Sequence, residues 1–334
     1  MSDRVTVVTV MKDEAPFILE WIAWNQMIGV SHFIVLTNNC SDGTDTMLDR
    51  LDDMGIVTHL PNPFGLFDRG TPQGTALKYV PQLKEYRRSD WIMHSDVDEF
   101  LHIKDGTGTI HELIEASGRP DAISIGECLM GCSGIEAYED VPVTSQFTHG
   151  MRQETPEGTS SRRGVKTLFR NSDVWRNRKN HRPIIRPTRR DEVTWVDGSG
   201  QPVPDVFRDG REPGMECSGR YDLAVLYHYS MRSMESFLTK LSRGDAVRSS
   251  RTKGWKYWRK RNQNTESYPD MLDFQPRLQA NLEKLKSDPE LAKLHEAACD
   301  IHRSRIQDAR QNPEFDELIA FYQSTLWGDP KFAE

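Results

Sequence analysis

The chain has 334 residues, of which 37% are hydrophobic and 28% charged, and its formal net charge is −7. This length allows one large domain, or a domain with a substantial appendage, and the composition is that of an ordinary soluble protein. The acidic balance argues against wholesale nucleic-acid binding. A membrane-spanning helix is not expected, because no segment approaches the required length of about 18 apolar residues.

Two further features predict a cytoplasmic protein. The first residues run directly into a strand-like segment, without a basic stretch and apolar core, so we expect no signal peptide. The cysteines are odd in number and follow no zinc-like spacing: Cys40, Cys128, Cys132, Cys217 and Cys299. Reduced thiols are the simplest interpretation of such a set.

Strand-like and helix-like segments alternate over the first hundred residues. Apolar, β-branched runs predict strands, and apolar residues three and four apart predict helices. In chain order the predicted elements are strand 5–11, helix 14–29, strand 32–37, helix 45–54, strand 56–60, helix 73–86 and a strand from residue 91. This alternation predicts a parallel α/β sheet with right-handed crossovers.

The pattern is looser after the next predicted strand, 123–126. Short strands are expected at 166–170 and 193–196, a last buried strand at 224–229 and a helix at 233–242, while residues 271–326 are mostly helical in pattern. We therefore predict a nucleotide-type domain at 1–230 and a helical C-terminal extension at 231–334.

The most informative segment follows the fourth predicted strand. The apolar run that begins at Trp91 ends in the carboxylates of Asp96, Asp98 and Glu99. Because side chains alternate along a strand, we expect Asp96 and Asp98 to leave it on one side. Two carboxylates held so close repel unless they share a proton or a cation, and Mg²⁺ takes such oxygen ligands together with substrate phosphates. A solvated acidic turn is the alternative.

Polar clusters follow three of the predicted strands, at residues 12–14, 38–44 and 96–99. Ligands of open α/β sheets bind beyond the carboxyl ends of the strands, so we expect the three clusters to converge on one crevice. The middle cluster alone would be weak support, since its residue types suit any turn, and Asp42 could equally cap a helix.

Several segments resemble glycosyltransferase family 2, with the GT-A fold, and most nearly its branch near family 92. The segments are residues 8–14 (VTVMKDE), 20–21 (EW), 29–33 (GVSHF), 39–44 (NCSDGT) and 96–100 (DVDEF). A second likeness, to the segment that closes this domain, comprises residues 228–230 (HYS), Ser233, Phe237, Lys240 and Gly244.

The resemblance implies a Rossmann-like mixed α/β sheet, a nucleotide-sugar donor, a divalent cation (Mn²⁺ or Mg²⁺) and transfer to an acceptor hydroxyl. It places the base and ribose near Asp13, Asn39 and Asp42. It places the metal and diphosphate at Asp96 and Asp98. His228 would be a further metal or diphosphate ligand, although a lone histidine between tyrosines is also typical of a hydrogen-bonded core residue.

An inverting transferase of this kind needs a base for the acceptor hydroxyl, which is worth about 10²–10⁴-fold in rate. Our candidate is Glu127, at the end of a predicted strand, with Glu154 and Asp173 as rivals. Glu127 could instead be the structural partner of a nearby arginine. The Glu-Asp pair expected at a helix start in this fold has no clear counterpart in the sequence.

Two basic regions complete the candidate site. The first comprises the basic residues between positions 162 and 186. Within it, Lys166 or His181 could steer the diphosphate, since lysine and arginine are the usual phosphate binders; a solvated loop face is the alternative. The second, residues 248–261, interleaves basic and aromatic side chains, as in helices that contact anionic membranes. The same composition suits nucleic acid, an acidic glycan or, as we favour, aromatic packing against the domain.

Together these features predict a metal-dependent, inverting glycosyltransferase of glycan or glycolipid biosynthesis, cytoplasmic or peripheral to the inner face of the membrane. The acceptor would be a glycan, a lipid-linked molecule or a small molecule, and no nucleic-acid partner is expected. One rival is a metal-dependent phosphohydrolase with Asp96 as nucleophile, which would place this motif on its first strand. The other is a non-catalytic nucleotide- or glycan-binding protein.

Overall fold

The computed structural model of the protein describes residues 3–66, 70–212, 214–242 and 251–328. Its main sheet contains nine strands. They are β1 (Val5–Met11), β2 (His32–Thr37), β3 (Val57–Pro61), β4 (Trp91–His94), β5 (Glu99–Ile103), β6 (Ala122–Leu129), β7 (Val165–Arg170), β8 (Trp195–Asp197) and β9 (Ala224–His228).

The longer helices flank this sheet and form most of the C-terminal region. They are α1 (Ala15–Met27), α2 (Thr44–Asp53), α3 (Pro72–Tyr79), α4 (Ile110–Ala116), α5 (Met234–Ser242), α6 (Arg251–Arg261), α7 (Gln275–Lys286), α8 (Pro289–Gln311) and α9 (Asp316–Ser324). Shorter helical turns lie at Pro63–Leu66, Val80–Gln82, Lys84–Arg87, Val143–Gln146, Pro187–Glu192, Asp205–Arg208, Pro269–Phe274 and Pro313–Phe315.

The sheet is parallel in one half and mixed in the other. Its strand order is β3-β2-β1-β4-β7-β6-β9-β5, and β8 pairs with the first part of β6. The four strands from β3 to β4 are parallel, whereas β7 is antiparallel to both of its neighbours. The amino end of β7 therefore lies at the same edge as the carboxyl ends of β1, β2 and β4.

Helix α1 is enclosed on both sides. Twelve of its residues are buried, because it contacts the sheet on one side and helices α7 and α8 on the other. A helix that is apolar around its circumference is stable only when it is enclosed in this way. Asn281 of α7 donates to the Ala23 carbonyl of α1 at 3.1 Å, which fixes this packing. The C-terminal helices thus form a third layer over the α/β unit.

The predicted α/β class, the mixed sheet and the helical C-terminal region are confirmed, with local differences. The predicted helix 73–86 is broken after Tyr79, where Pro81 lacks the N–H that a continuous helix needs. Strand β5 was not predicted, since its five residues follow the carboxylates directly. A short strand at Glu266–Ser267 pairs with His149–Gly150, so the C-terminal region returns to the first half of the chain. The division at residue 230 stays a prediction.

The aromatic side chains of α6 pack inward. Trp258 is fully buried and stacks on Tyr322 with ring centroids 4.3 Å apart, and Tyr257 stacks on Phe237 at 5.8 Å. These contacts correspond to the packing interpretation of the segment 248–261, of which residues 248–250 lie outside the described part; membrane contact stays a prediction. Among the described helices, none combines the length and apolar character needed to cross a bilayer.

Candidate functional site

The two aspartates lie in a turn between antiparallel parts of the chain. Strand β4 ends at His94, and β5 begins at Glu99. The Glu99 carboxylate closes this turn by accepting the backbone N–H of Asp96 at 2.9 Å. Asp96 and Asp98 both line a cavity of about 490 Å³ at the carboxyl edge of the parallel strands. The two side chains face one space, as we expected, but the expected reason is wrong. Both residues lie in a turn between strands, and not at alternate positions of one strand.

Lys166 neutralises the first aspartate. Its ammonium donates to Asp96 Oδ2 at 2.9 Å and to Asn180 Oδ1 at 3.0 Å, and lies 3.2 Å from Glu99 Oε2. Only 1% of the side chain is exposed. Burial opposes the charge, but the carboxylates of Asp96 and Glu99 outweigh it and raise the pKa of Lys166. The antiparallel direction of β7 brings this lysine to the site.

The second aspartate contacts two cationic groups. Asp98 Oδ2 accepts from Lys240 Nζ at 3.1 Å, and Oδ1 lies 3.5 Å from His228 Nε2. Burial alone would raise the pKa of Asp98, but the charges of Lys240 and His228 hold it well below its usual range. These two contacts favour the anionic form of Asp98.

His228 bridges this aspartate to a further carboxylate. Its Nδ1 lies 3.0 Å from Glu127 Oε2, and Arg261 Nη1 is 3.5 Å from the same oxygen. Burial disfavours the charge on His228, but Asp98 and Glu127 outweigh burial and raise its pKa to about 10. Burial likewise opposes the charge on Glu127, and the contacts with His228 and Arg261 lower its pKa to about 2. Glu127 thus makes the arginine pair that we considered as its alternative role.

The predicted nucleotide residues separate into two groups. Asp13 and Asn39 line a neighbouring cavity of about 400 Å³, which shares Lys12 with the cavity that contains Asp96 and Asp98. Asp42 is 3% exposed, and its two oxygens accept from the N–H groups of Thr44 and Ala15 at 3.0 Å. Asp42 thus accepts the first N–H group of both α2 and α1, although the N-cap residue of α2 itself is Gly43. Nucleotide binding by the three residues stays a prediction.

The remaining candidates lie outside the lining of the larger cavity, so far as the structure describes it. His181 Nδ1 donates to the Val165 carbonyl at 3.0 Å, and burial lowers its pKa. Glu154 accepts from Ser218 and Gly219 on the surface, and Asp173 pairs with Arg189. Of the three predicted candidates for the base, Glu127 alone adjoins a residue of this cavity, namely His228.

The C-terminal helices bring to the two cavities side chains to which the sequence analysis gave no role there. Lys240 of α5 was part of the resemblance, but without a role, and Tyr257 of α6 also lines the larger cavity. Arg261 was assigned to the basic surface segment. Arg305 of α8 donates to Ser41 at 2.8 Å and lies 3.7 Å from Asp13. No sequence signal identifies Arg305, because its contact depends on how α8 packs.

The donor groups fit a hard divalent cation in part. Such a cation uses one or two carboxylates together with substrate phosphates, and Asp96 and Asp98 both present oxygens to one cavity. His228 fits less well, because a ligating imidazole must be neutral, whereas this one has a raised pKa and a carboxylate near each nitrogen. The metal assignments of all three residues stay predictions.

The structure is an open α/β sheet with a carboxylate-lined cavity at the carboxyl edge of its parallel strands, which is where folds of this class bind their ligands. Comparison with known proteins gives the family. A model of glycosyltransferase family 92 matches residues 5–199, so the chain belongs to glycosyltransferase family 92. This confirms the predicted family relationship.

The individual matches differ in how much of the molecule they cover. A protein of Oryza sativa subsp. japonica, "Glycosyltransferase family 92 protein Os08g0121900", is 28% identical over 163 residues, or 47% of this chain and 26% of that protein. The chain thus matches about a quarter of the rice protein. Crystal structures of S. aureus TarS 1–349, alone and with UDP, align over 92% of this chain and 91% of theirs, at 11% identity and a TM-score of 0.33. A likeness at that score supports no conclusion about the donor or acceptor of this chain.

Proposed function

We propose that the protein transfers a sugar from a nucleoside-diphosphate donor to an acceptor hydroxyl, with inversion, in the cavity lined by Asp96 and Asp98. The observation that carries the proposal is that these two carboxylates line one cavity and lie beside three cationic groups, in a chain of glycosyltransferase family 92. The three groups are Lys166, Lys240 and His228. The acceptor would be a glycan, a lipid-linked molecule or a small molecule.

The chemistry explains why such a site needs cations. Negative charge builds on the departing diphosphate as the sugar–phosphate bond breaks, and fixed positive groups stabilise that charge. Lys240 and His228 flank the cavity, and Arg261 lies directly behind His228. A divalent cation held by Asp96 and Asp98 would add Lewis-acid stabilisation of the same oxygens. The sugar itself passes through an oxocarbenium-like state, as in glycoside hydrolysis. The protein therefore contributes mainly by positioning the acceptor and by electrostatic stabilisation.

A thermal-shift screen of UDP-, GDP- and CMP-sugars, with and without Mn²⁺, tests donor and metal together. We expect one nucleotide class to raise the melting temperature in a metal-dependent way, because ligands that bind only the folded state stabilise it. The Asp98→Asn protein should lose this shift. An unchanged shift in the folded variant would contradict the metal assignment.

Turnover assays with the nucleotide sugar found in this screen separate the rival functions. Release of nucleoside diphosphate in the presence of acceptor extracts supports transfer. Hydrolysis of simple phosphate esters would support the phosphohydrolase instead. Metal-independent binding without turnover would favour a non-catalytic binding protein.

Glu127 has two candidate roles that one variant distinguishes. As the base, Glu127→Gln should keep donor affinity and lose about 10²–10⁴-fold in transfer. If Glu127 instead orients His228 and Arg261, the same substitution should weaken donor binding, measured by calorimetry. Its pKa of about 2 favours the second role, since a base works best with a pKa near the working pH. Normal transfer by the variant would remove Glu127 from both roles.

A further inference from the structure

A second cluster of polar side chains lies away from the proposed donor cavity. His295 and Cys299 are one turn apart on α8, so their side chains share one face of the helix. Asp140 approaches them from the segment between β6 and the helical turn Val143–Gln146. His295 Nε2 is 3.0 Å from Asp140 Oδ1 and 3.7 Å from Cys299 Sγ.

The three side chains lie close enough together to reach one metal ion. One oxygen, one nitrogen and one sulfur atom of the set all lie within 4.8 Å of one another. Tetrahedral zinc has bonds of about 2.0–2.3 Å, which places its ligand atoms roughly 3.3–3.8 Å apart. The two distances from His295 Nε2, 3.0 and 3.7 Å, are within some tenths of an ångström of this range. The third pair, the Asp140 oxygen and Cys299 Sγ, lies within 4.8 Å and would have to close further. Within the described residues, no other group of three such side chains meets this distance condition.

The surroundings also suit a metal. Cys299 is fully buried, His295 is 8% exposed in its side chain, and Asp140 is 36% exposed. Asp140 and His295 line a cavity of about 400 Å³ that could hold a solvent ligand. The Tyr138 hydroxyl donates to Cys299 Sγ at 3.3 Å, as outer hydrogen bonds do to metal ligands.

We propose that Asp140, His295 and Cys299 bind one Zn²⁺, with a solvent molecule from the cavity as the fourth ligand. Sulfur, imidazole and carboxylate are the ligands that this ion takes in proteins. Binding would exchange the thiol proton for the metal, so one proton is released per ion at neutral pH. The site would tie α8 to the segment that follows β6.

This site is distinct from the proposed donor site in both place and chemistry. In the described part of the chain, its cavity shares no lining residue with the cavity of Asp96 and Asp98. Only the new site offers a thiolate, and thiolates select softer metals than the carboxylates of a Mg²⁺ or Mn²⁺ site. A metal bound there can therefore be recognised by its spectrum, whether or not the protein is a transferase.

The test uses the full chain, stripped with a chelator and titrated with Co²⁺ as a spectroscopic substitute for zinc. We expect a thiolate-to-cobalt charge-transfer band that saturates at one equivalent, and one equivalent of zinc by mass spectrometry after zinc loading and desalting. Cys299→Ser should remove the band. The matched control, Cys128→Ser, also replaces a buried free cysteine and should keep it.

A second variant guards against misfolding of the first. His295→Gln keeps the sulfur, and we expect it to weaken Co²⁺ binding at least about tenfold while near-ultraviolet circular dichroism stays native. Absence of the band in the wild-type chain, or an equal band in Cys299→Ser, would overturn the proposal. Either result would leave Asp140, His295 and Cys299 as a hydrogen-bonded cluster without metal.

Discussion

Sugar transfer by the Asp98→Asn variant is expected to fall at least about a thousandfold. The amide keeps the shape of the side chain but removes the charge that faces Lys240 and His228. It also removes one of the two carboxylates that would hold a divalent cation, whose stabilisation of the leaving group is worth several kcal/mol. Because each 1.36 kcal/mol is a factor of about ten in rate, the loss should reach three decades.

The measurement is the rate of nucleoside-diphosphate release with the donor identified by the thermal-shift screen. Asp105→Asn is the matched control, because it makes the same chemical change at an exposed position, and it should transfer at the wild-type rate. Circular dichroism must show that Asp98→Asn is folded. A folded variant with a rate within about tenfold of wild type would exclude Asp98 from the leaving-group chemistry.

Replacement of Lys166 by methionine is expected to lower the free energy of unfolding by about 3–5 kcal/mol near about pH 9. Methionine fills most of the volume of the buried lysine but supplies no charge. The carboxylates of Asp96 and Glu99 then face each other's charge without their common partner. Removing one partner of a buried ion pair destabilises the protein by more than the intact pair stabilises it, because an uncompensated charge remains buried.

The pH dependence of this loss identifies its cause. In the wild-type protein, burial raises the pKa of Glu99 from 4.5 to about 7, although Lys166 opposes the rise. Without Lys166 this pKa must rise further. A carboxyl group whose folded pKa exceeds its unfolded pKa loses stability as pH rises between the two values. The free energies of unfolding of the wild-type protein and the Lys166→Met variant should therefore differ least near about pH 5 and most near about pH 9.

Urea unfolding at both pH values gives the two differences in free energy. Lys78→Met is the matched control, since Lys78 is exposed on α3, and its effect should stay within about 0.5 kcal/mol. A loss for Lys166→Met that is the same at both pH values would show lost packing, not an uncompensated carboxylate. A loss below about 1 kcal/mol even near about pH 9 would contradict a buried ion pair altogether.

The parallel half of the fold could be predicted because local sequence determines it. The β-branched run at Val5–Met11 and the apolar positions of Ala15–Met27 carry their periodicities within a few residues. The antiparallel placement of Val165–Arg170 between β4 and β6 could not be predicted. Its partners lie 39 to 47 positions away in β6 and 75 to 79 positions away in β4, and the six residues of the strand carry no local signal for such distant partners.

In the candidate site, too, the local features could be predicted and the contacts between distant parts of the chain could not. Asp96 and Asp98 were predicted to face one space, and they do, although Glu99 achieves this by closing a turn. The cations opposite them come from distant parts of the chain. Lys240 lies 142 positions beyond Asp98, and its contact exists only once α5 has packed against the sheet. No spacing rule in the sequence reports such a contact.

The return of the C-terminal helices to the sheet edge has a consequence for how the chain can be divided. Three of the cations at or beside the two cavities, Lys240, Arg261 and Arg305, belong to the part after residue 230. A fragment that ends at the last sheet strand would keep the acids and lose these cations. The smallest unit to express, or to graft onto a relative, is therefore the α/β unit together with its C-terminal helices. Exchanging the helices alone would change the number of positive charges at the two cavities.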